Sequence, residues 1–395
     1  MNQKDWYIPL MSDPIRKADI LALKEFLNEN DIPRLSNGPK IEEAEKAFAE
    51  WLGVKYAVIV NSGSSANELT MMGIREMYGQ CSVLVPPLTW VSDWAAILHA
   101  GLTPITCDIN LTNLSFDLEK LKSVVREDTK VIFLTHVLGI CGITQELLDF
   151  CKERSILLIE DVCESAGATF NNVKLGNFGF AANWSGFVAH HFSGIEMGII
   201  TTNDEGFYEY MRALRSHGMN RELKNEKLRQ WNIDQNPQLN KDFIFLAAAH
   251  NFRATEIQGV LLLSQLKKLD DNNEFRKKTF RYFIGHLNPE KYHVKLNLEG
   301  QCAYSFIIIL KESNTDKWAK VEEALSGNLI EFRRGLSGGG SQLKQPYLNG
   351  VLKSKDEDFP NMLHIHSNSC YVGLYPGLKK SKIDNLLRIL NSLDV

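Results

Sequence analysis

Between Lys55 and Val162, short runs rich in β-branched and other apolar residues alternate with longer segments whose apolar positions recur three and four apart. The runs KYAVIV, SVLVPP, TPITCDI, KVIFLTHV and ILLIEDV have the length and content of buried strands. The intervening stretches SANELTMMGIREMY, SDWAAILHAG and TQELLDFCKERS have a helical period. This alternation predicts an α/β fold, a mainly parallel sheet with helices on both faces. Ligands of such sheets gather at the carboxyl ends of the strands, so residues following each apolar run are the first candidates for chemistry. Two stretches break the rhythm. Arg221 to Phe243 is polar and weakly periodic, and is expected to be a long surface excursion. Gly335 to Gln342 (GLSGGGSQ) lacks the Gly-Lys-Ser/Thr ending of a phosphate loop and reads as a flexible linker or a substrate-side loop. A long helix from near Thr255 to Asp271 is expected to lead into a smaller α+β domain, which divides the chain into residues 1–255 and 256–395.

With 395 residues, 44% of them apolar and 23% charged, the chain can bury a large core in two lobes. A net charge of -4 leaves no electrostatic footprint for nucleic acid. The start, MNQKDWYIPL, lacks a basic region followed by an apolar one, and no run approaches the ~18 apolar residues that cross a bilayer, so a soluble cytoplasmic protein is expected, with no membrane partner. Seven cysteines form an odd set without a C-x-x-C pair, which suggests reduced thiols and neither a disulfide framework nor a zinc site.

The candidate chemistry begins at NSGSSAN, Asn61 to Asn67, between the first strand and the first helix. A small-residue turn there offers unpaired backbone N–H groups to an anion, although an ordinary serine N-cap is an equally good reading of those residues alone. Trp90 stands at the next strand–helix junction, a place where tryptophan is usually core. Asp161 ends ILLIED; side chains alternate along a strand, so only one of Glu160 and Asp161 can face a given site. His190 and His191 are adjacent in NWSGFVAHHFSGIEMGIITTND, and on a hairpin strand their rings would point to opposite faces. His364 and His366, two apart in LHIHS, would share a face of a strand, but no third metal ligand is evident. Arg333 and Arg334 in EFRRG would suit a diphosphate or a carboxylate through bidentate bonds.

The run from Ile156 to Asp204 resembles the sugar aminotransferases of the DegT/DnrJ/StrS family, and the resemblance extends from about Asn37 to Asp271. It implies the pyridoxal-phosphate fold type I, aspartate aminotransferase-like, and a homodimer with shared active sites. It also implies roles: a phosphate cup at Ser62, Gly63, Ser64 and Ser65 with Ser185 reaching the same phosphate; Trp90 stacked on the pyridine; Asp161 paired with the ring nitrogen. Glu164 stands where the aminotransferases commonly have glutamine near the cofactor's 3-oxygen. Asn251 and Arg253 (HNFRATE) match a segment that crosses the dimer interface, with the asparagine binding the neighbouring phosphate. His217 matches a histidine near the substrate, and a histidine opposing a helix dipole would look the same.

The chain departs from the family at one position. The family's Schiff-base lysine stands six residues before an acidic turn, and His190 stands six before Glu196, whose turn reads Glu-Met-Gly instead of Glu-Gly-Gly. Imidazole cannot tether the cofactor covalently but can move protons near neutral pH. The combination resembles the family's 3-dehydratase branch. That implies pyridoxal or pyridoxamine phosphate held noncovalently, glutamate as amino donor, and loss of the C3 hydroxyl from a nucleotide-linked 4-keto-6-deoxy sugar, GDP favoured, with release of ammonia and 2-oxoglutarate. It places the chain in dideoxysugar synthesis for surface polysaccharide. No cysteine lies between Cys163 and Cys302, so the iron–sulfur cluster and reductase partner of a related branch are not expected. Two rival readings are a lysine-bearing C4 aminotransferase, for which Lys174 would have to reach the site, and a scaffold that keeps the fold without chemistry.

Overall fold

The computed structural model describes residues 6–28, 34–352 and 355–395. Among them are twelve strands: β1 (Tyr56–Val60), β2 (Ser82–Leu84), β3 (Thr103–Ile105), β4 (Thr129–Thr135), β5 (Leu157–Asp161), β6 (Thr169–Phe170), β7 (Val173–Lys174), β8 (Ala181–Ser185), β9 (Gly198–Thr202), β10 (Ser305–Ile309), β11 (Phe332–Arg334) and β12 (Ser369–Gly373). Seven build one sheet in the order β1-β9-β8-β5-β4-β2-β3. Only β9 runs against the others, since it pairs antiparallel with β1 and β8 while the remaining pairs are parallel. Each apolar run of the sequence supplies one of these strands. The burial of β4 and β5 on both faces explains why they read as continuous apolar stretches and not as alternating ones. The C-terminal portion adds the antiparallel sheet β10-β12-β11.

The long helix spans Glu256–His286, fifteen residues beyond the expected end at Asp271. Its early residues Leu262 and Leu269 pack in the core beneath the large sheet, and its late residues Phe280, Phe283 and Ile284 pack with the small sheet. The apolar face changes partner midway, which blurs a single periodic stripe. Glu256 is buried at the start of this helix and accepts N–H groups from Gly38 (2.7 Å), Lys40 (2.8 Å) and Ile41 (3.2 Å). It thereby caps the helix Pro39–Leu52 across more than two hundred residues of chain.

Three expectations need correction. The excursion from Arg221 to Phe243 contains a helix, Glu226–Asp234, whose N-cap Asn225 accepts the N–H of Leu228. It buries little beyond Asn232 and leaves Trp231 57% exposed, so it has no apolar stripe to betray it. LHIHS lies in the helix Pro360–Asn368 and not in a strand, so His364 and His366 diverge. His364 Nε2 lies 2.8 Å from the carbonyl of Leu310, and His366 Nδ1 accepts the N–H of Ser341. No group of three metal-ligating side chains occurs among the described residues. Finally, His190 and His191 lie in the loop joining β8 to β9, outside both strands.

Candidate active site

A cavity of about 340 Å³ opens at the carboxyl ends of β1, β4, β5 and β8, where the parallel topology directs ligands. Ser62, Gly63, Ser64, Trp90, Asp161, Glu164, Ser185 and His190 line it, together with Tyr304, Ser337 and Tyr371 from the C-terminal portion.

The floor is the start of the helix Gly63–Tyr78. Ser62 is the N-cap: its Oγ accepts the N–H of Ser65 at 3.1 Å, and the Ala66 N–H bonds to the Ser62 carbonyl. The Gly63 and Ser64 N–H groups have no such partner and face the cavity at the positive end of a four-turn helix. A Cβ on Gly63 would stand 2.8 Å from Ser185 Cβ and 3.2 Å from its Oγ, so only glycine lets the turn and β8 converge. Ser185 Oγ accepts the Phe187 N–H at 3.2 Å, which leaves its own proton to donate. Ser65 is the exception in this group, because its hydroxyl donates back to Asn61 Oδ1 at 2.5 Å and it does not line the cavity.

Strand alternation separates the two acids at the end of β5. Glu160 turns away and accepts N–H groups from Gly176, Phe178 and Gly179. Asp161 faces the cavity, takes the Cys163 N–H on Oδ1 at 2.9 Å, and meets Asn67 Nδ2 at 3.4 Å. Glu164 follows in the turn, where its carboxylate oxygens accept the Leu138 N–H at 3.0 Å and the Ser337 hydroxyl at 3.1 Å. Burial, reinforced by the charge of Asp161, pushes its carboxyl up to about 7.

The two histidines separate as well. His190 lines the cavity, with Nδ1 3.4 Å from the Ser185 carbonyl and its ring edge-on to Tyr304 at 5.5 Å. His191 turns away and its Nε2 lies 3.0 Å from the Cys302 carbonyl. Burial brings His190 down to about 4 and His191 well below its ordinary value. Among the described residues, no lysine lines the cavity. Lys174 lies on the β6–β7 ribbon, where its Nζ donates to the Trp51 carbonyl at 2.6 Å and sits over the Trp51 ring.

The glycine loop proves to be an ordered clasp. Leu88 and Ser341 form an antiparallel bridge, Gln342 donates its backbone N–H to Pro87 and its side-chain N–H to the Thr89 carbonyl, and Ser337 reaches Glu164. A Cβ on Gly338 would fall 2.2 Å from the Thr89 carbonyl, and its φ of +66° is the left-handed region. The turn bearing Trp90 is thus pinned from the C-terminal side, while Trp90 itself lines the cavity and is 53% exposed.

Other candidates lie apart from this cavity. Asn251 bridges Ser216 and is exposed, Arg253 bridges Val60, and His217 follows the helix Glu205–Arg215 with φ +64°. Arg333 and Arg334 project from β11 with Glu331 and Glu322 as partners. Sequence reasoning missed Asn67, Asp93, Tyr304, Ser337 and Tyr371. Asp93 looks like an ordinary acidic residue of a first helical turn, and Tyr304 and Tyr371 look like packing residues of β-rich segments.

A parallel sheet with one reversed strand, an anion seat at the first helix and an acid at the end of β5 define a fold shared by pyridoxal-phosphate enzymes that act on sugars. The chain belongs to the DegT/DnrJ/EryC1/StrS aminotransferase family, whose profile matches residues 14–391. It is 30% identical over 383 residues to a GDP-4-keto-6-deoxy-D-mannose 3-dehydratase of Escherichia coli O55:H7, covering 94% of this chain and 97% of that protein. It is also 31% identical to a GDP-perosamine synthase of Caulobacter vibrioides, over 63% of this chain and 62% of the other. A crystal structure of a histidine-to-asparagine variant of GDP-4-keto-6-deoxymannose-3-dehydratase with bound GDP-perosamine superposes with a TM-score of 0.89 at 28% identity, covering 97% of this chain and all of that one. Another structure of that dehydratase, holding a trapped PLP-glutamate geminal diamine, has a TM-score of 0.85 at 27% identity and covers 97% of this chain and all of that one.

Proposed function

We propose that this chain removes the C3 hydroxyl of a nucleotide-linked 4-keto-6-deoxy sugar, with GDP the favoured nucleotide, using noncovalently held pyridoxal or pyridoxamine phosphate and glutamate as amino donor. The observation that carries the reading is His190 in a cavity that no lysine lines among the described residues. The residues present fit the cofactor: two unpartnered N–H groups at a helix N-terminus and a free hydroxyl proton on Ser185 for a phosphate, and a buried carboxylate, Asp161, for a ring nitrogen. Bound there, pyridoxamine phosphate supplies an amine that joins the C4 carbonyl and a ring that draws electrons from the adjoining carbon.

Asp161 would hold the proton on the ring nitrogen, and Trp90 would confine the ring plane that no covalent bond secures. Burial keeps the His190 imidazole unprotonated at neutral pH, the form a base requires. It would take the proton from the carbon carrying the amine and deliver it to the departing C3 oxygen, two tasks one imidazole can serve in turn. Glu164, poised near neutrality, would hold or release a proton beside the ring's oxygen. Water would then replace the nitrogen at C4, restoring the carbonyl and releasing ammonia. We also propose a homodimer, supported by the exposed Trp231, Phe243 and Phe245 on the segment just before Asn251.

Incubation with glutamate and a panel of GDP-, dTDP- and CDP-linked 4-keto-6-deoxy sugars tests the reading. Formation of 2-oxoglutarate, free ammonia and a 3-deoxy sugar is the expected outcome; nitrogen retained on C4 would make the chain an aminotransferase.

A further inference from the structure

Behind Asp161 lies a second carboxyl. Asp93 stands in the first turn of the helix Val91–His99 and is fully buried. Its Oδ1 accepts Asn67 Nδ2 at 2.7 Å, and its Oδ2 lies 2.9 Å from Thr135 Oγ1 and within hydrogen-bonding distance of Thr89 Oγ1. The same Asn67 amide also meets Asp161 Oδ2 at 3.4 Å, so one donor group spans the two carboxyls.

The proton count in this cluster is informative. Thr89 and Thr135 also touch each other, at 2.7 Å, so the triangle they form with Asp93 has three oxygen–oxygen contacts. Two hydroxyls supply two protons. With both carboxyls ionised, one contact would oppose lone pairs, and two negative charges would adjoin in a dry site. One further proton relieves both costs. Asp161 has the stronger claim to the charge, because it accepts the Cys163 N–H and faces the open cavity, whereas Asp93 is wholly buried behind it. Among the described residues, the other titratable groups within electrostatic reach of Asp93 are Cys163, beyond β5, and Tyr347, after the glycine loop, and neither is a cation.

We propose that Asp93 is a positioning residue that remains a neutral carboxylic acid at working pH, fixes Asp161 through a shared hydrogen-bond network, and limits the negative charge facing the ring nitrogen to one. Burial and the charge of Asp161 both push the Asp93 carboxyl upward, in agreement with the proton count. The part concerning the ring nitrogen rests on the proposed cofactor site; the protonation of Asp93 does not.

Infrared spectroscopy of the cofactor-free full chain tests the protonation. The wild type is expected to show a protonated-carboxyl band that persists from about pH 6 to 9, above the ordinary range of aspartate, and that Asp93→Asn lacks. Pyridoxal phosphate affinity, followed by absorbance across the same range, tests the consequence. Asp93→Asn should stay within about threefold of wild type with the same pH profile, as a neutral-for-neutral exchange. Asp161→Asn should weaken binding about ten- to hundredfold, the worth of a charge-assisted hydrogen bond. Absence of the band, or loss of a titration from the binding profile in Asp93→Asn, would overturn the proposal. If the asparagine variant fails to fold, carbon-13 NMR of wild type labelled at aspartate carboxyls decides, since one buried carboxyl must stay protonated at neutral pH. A band present in a protein that binds no pyridoxal phosphate would sink the cofactor reading and leave the protonation of Asp93 standing.

Discussion

His190 and Glu164 share one cavity, yet they act on stability in opposite senses. Burial lowers His190 from 6.5 to about 4, so between those values the unfolded chain binds a proton that the folded chain refuses, and stability falls as pH drops through that window. Burial raises Glu164 from 4.5 to about 7, so the folded chain keeps a proton that the unfolded chain releases. That stabilisation is complete below 4.5 and is lost as pH rises to about 7. Glu164→Gln, which cannot ionise, should therefore raise stability by about 1–3 kcal/mol near pH 8 and change it little near pH 5, as read by calorimetry. For catalysis, His190→Asn should lower C3 elimination by about 10²–10⁴-fold while pyridoxal phosphate still binds, because the phosphate seat and Asp161 are untouched. His190→Lys places an amine where the imidazole stood, and should yield a borohydride-reducible link to the cofactor visible as added mass. An asparagine variant with full elimination would remove His190 from the chemistry.

Among the elements, the legible ones are those that obey a single local rule. The strands from Tyr56 to Asp161 were readable because burial on both faces leaves mostly apolar residues between their ends, and the helices between them because each covers one face. The cavity's N-terminal half followed from the same pattern, since Asp161 ends a strand and Ser62, Trp90 and Glu164 follow strand ends. Its C-terminal half did not: Tyr304, Ser337 and Tyr371 arrive from a different sheet and a glycine loop, and no periodicity links them to β5. Glu256 shows why distance hides function. It reads as a helix-start acid, whereas its side chain serves three N–H groups of the helix Pro39–Leu52. Glu256→Ala would strand these donors in a buried setting and should cost about 2–4 kcal/mol in chemical denaturation; an effect below half a kcal/mol would mean that solvent replaces the cap.

The molecule as a whole is joined by the helix Glu256–His286, which serves both cores, and by Arg276 on it. That guanidinium donates to the carbonyls of Ala303, Tyr304 and Leu374, linking the helix to the segments on either side of the small sheet. The exposed aromatic residues Trp231, Phe243 and Phe245 gather on one segment, and under the dimer proposal they meet a second copy. Phe245→Asp should then shift sedimentation from dimer to monomer at micromolar concentration. An unchanged dimer would place the interface elsewhere.

The pinning of the Trp90 turn by Gly338, Ser341 and Gln342 has a mechanical result. The backbone of residues 87–89 cannot move outward unless the stitches from the C-terminal portion come undone, so the turn that carries Trp90 and the loop that carries Ser337 breathe together. An occupant that rests on either one steadies the other, and deuterium uptake in the segments around Thr89 and around Ser341 should slow in concert when only one of the two is engaged.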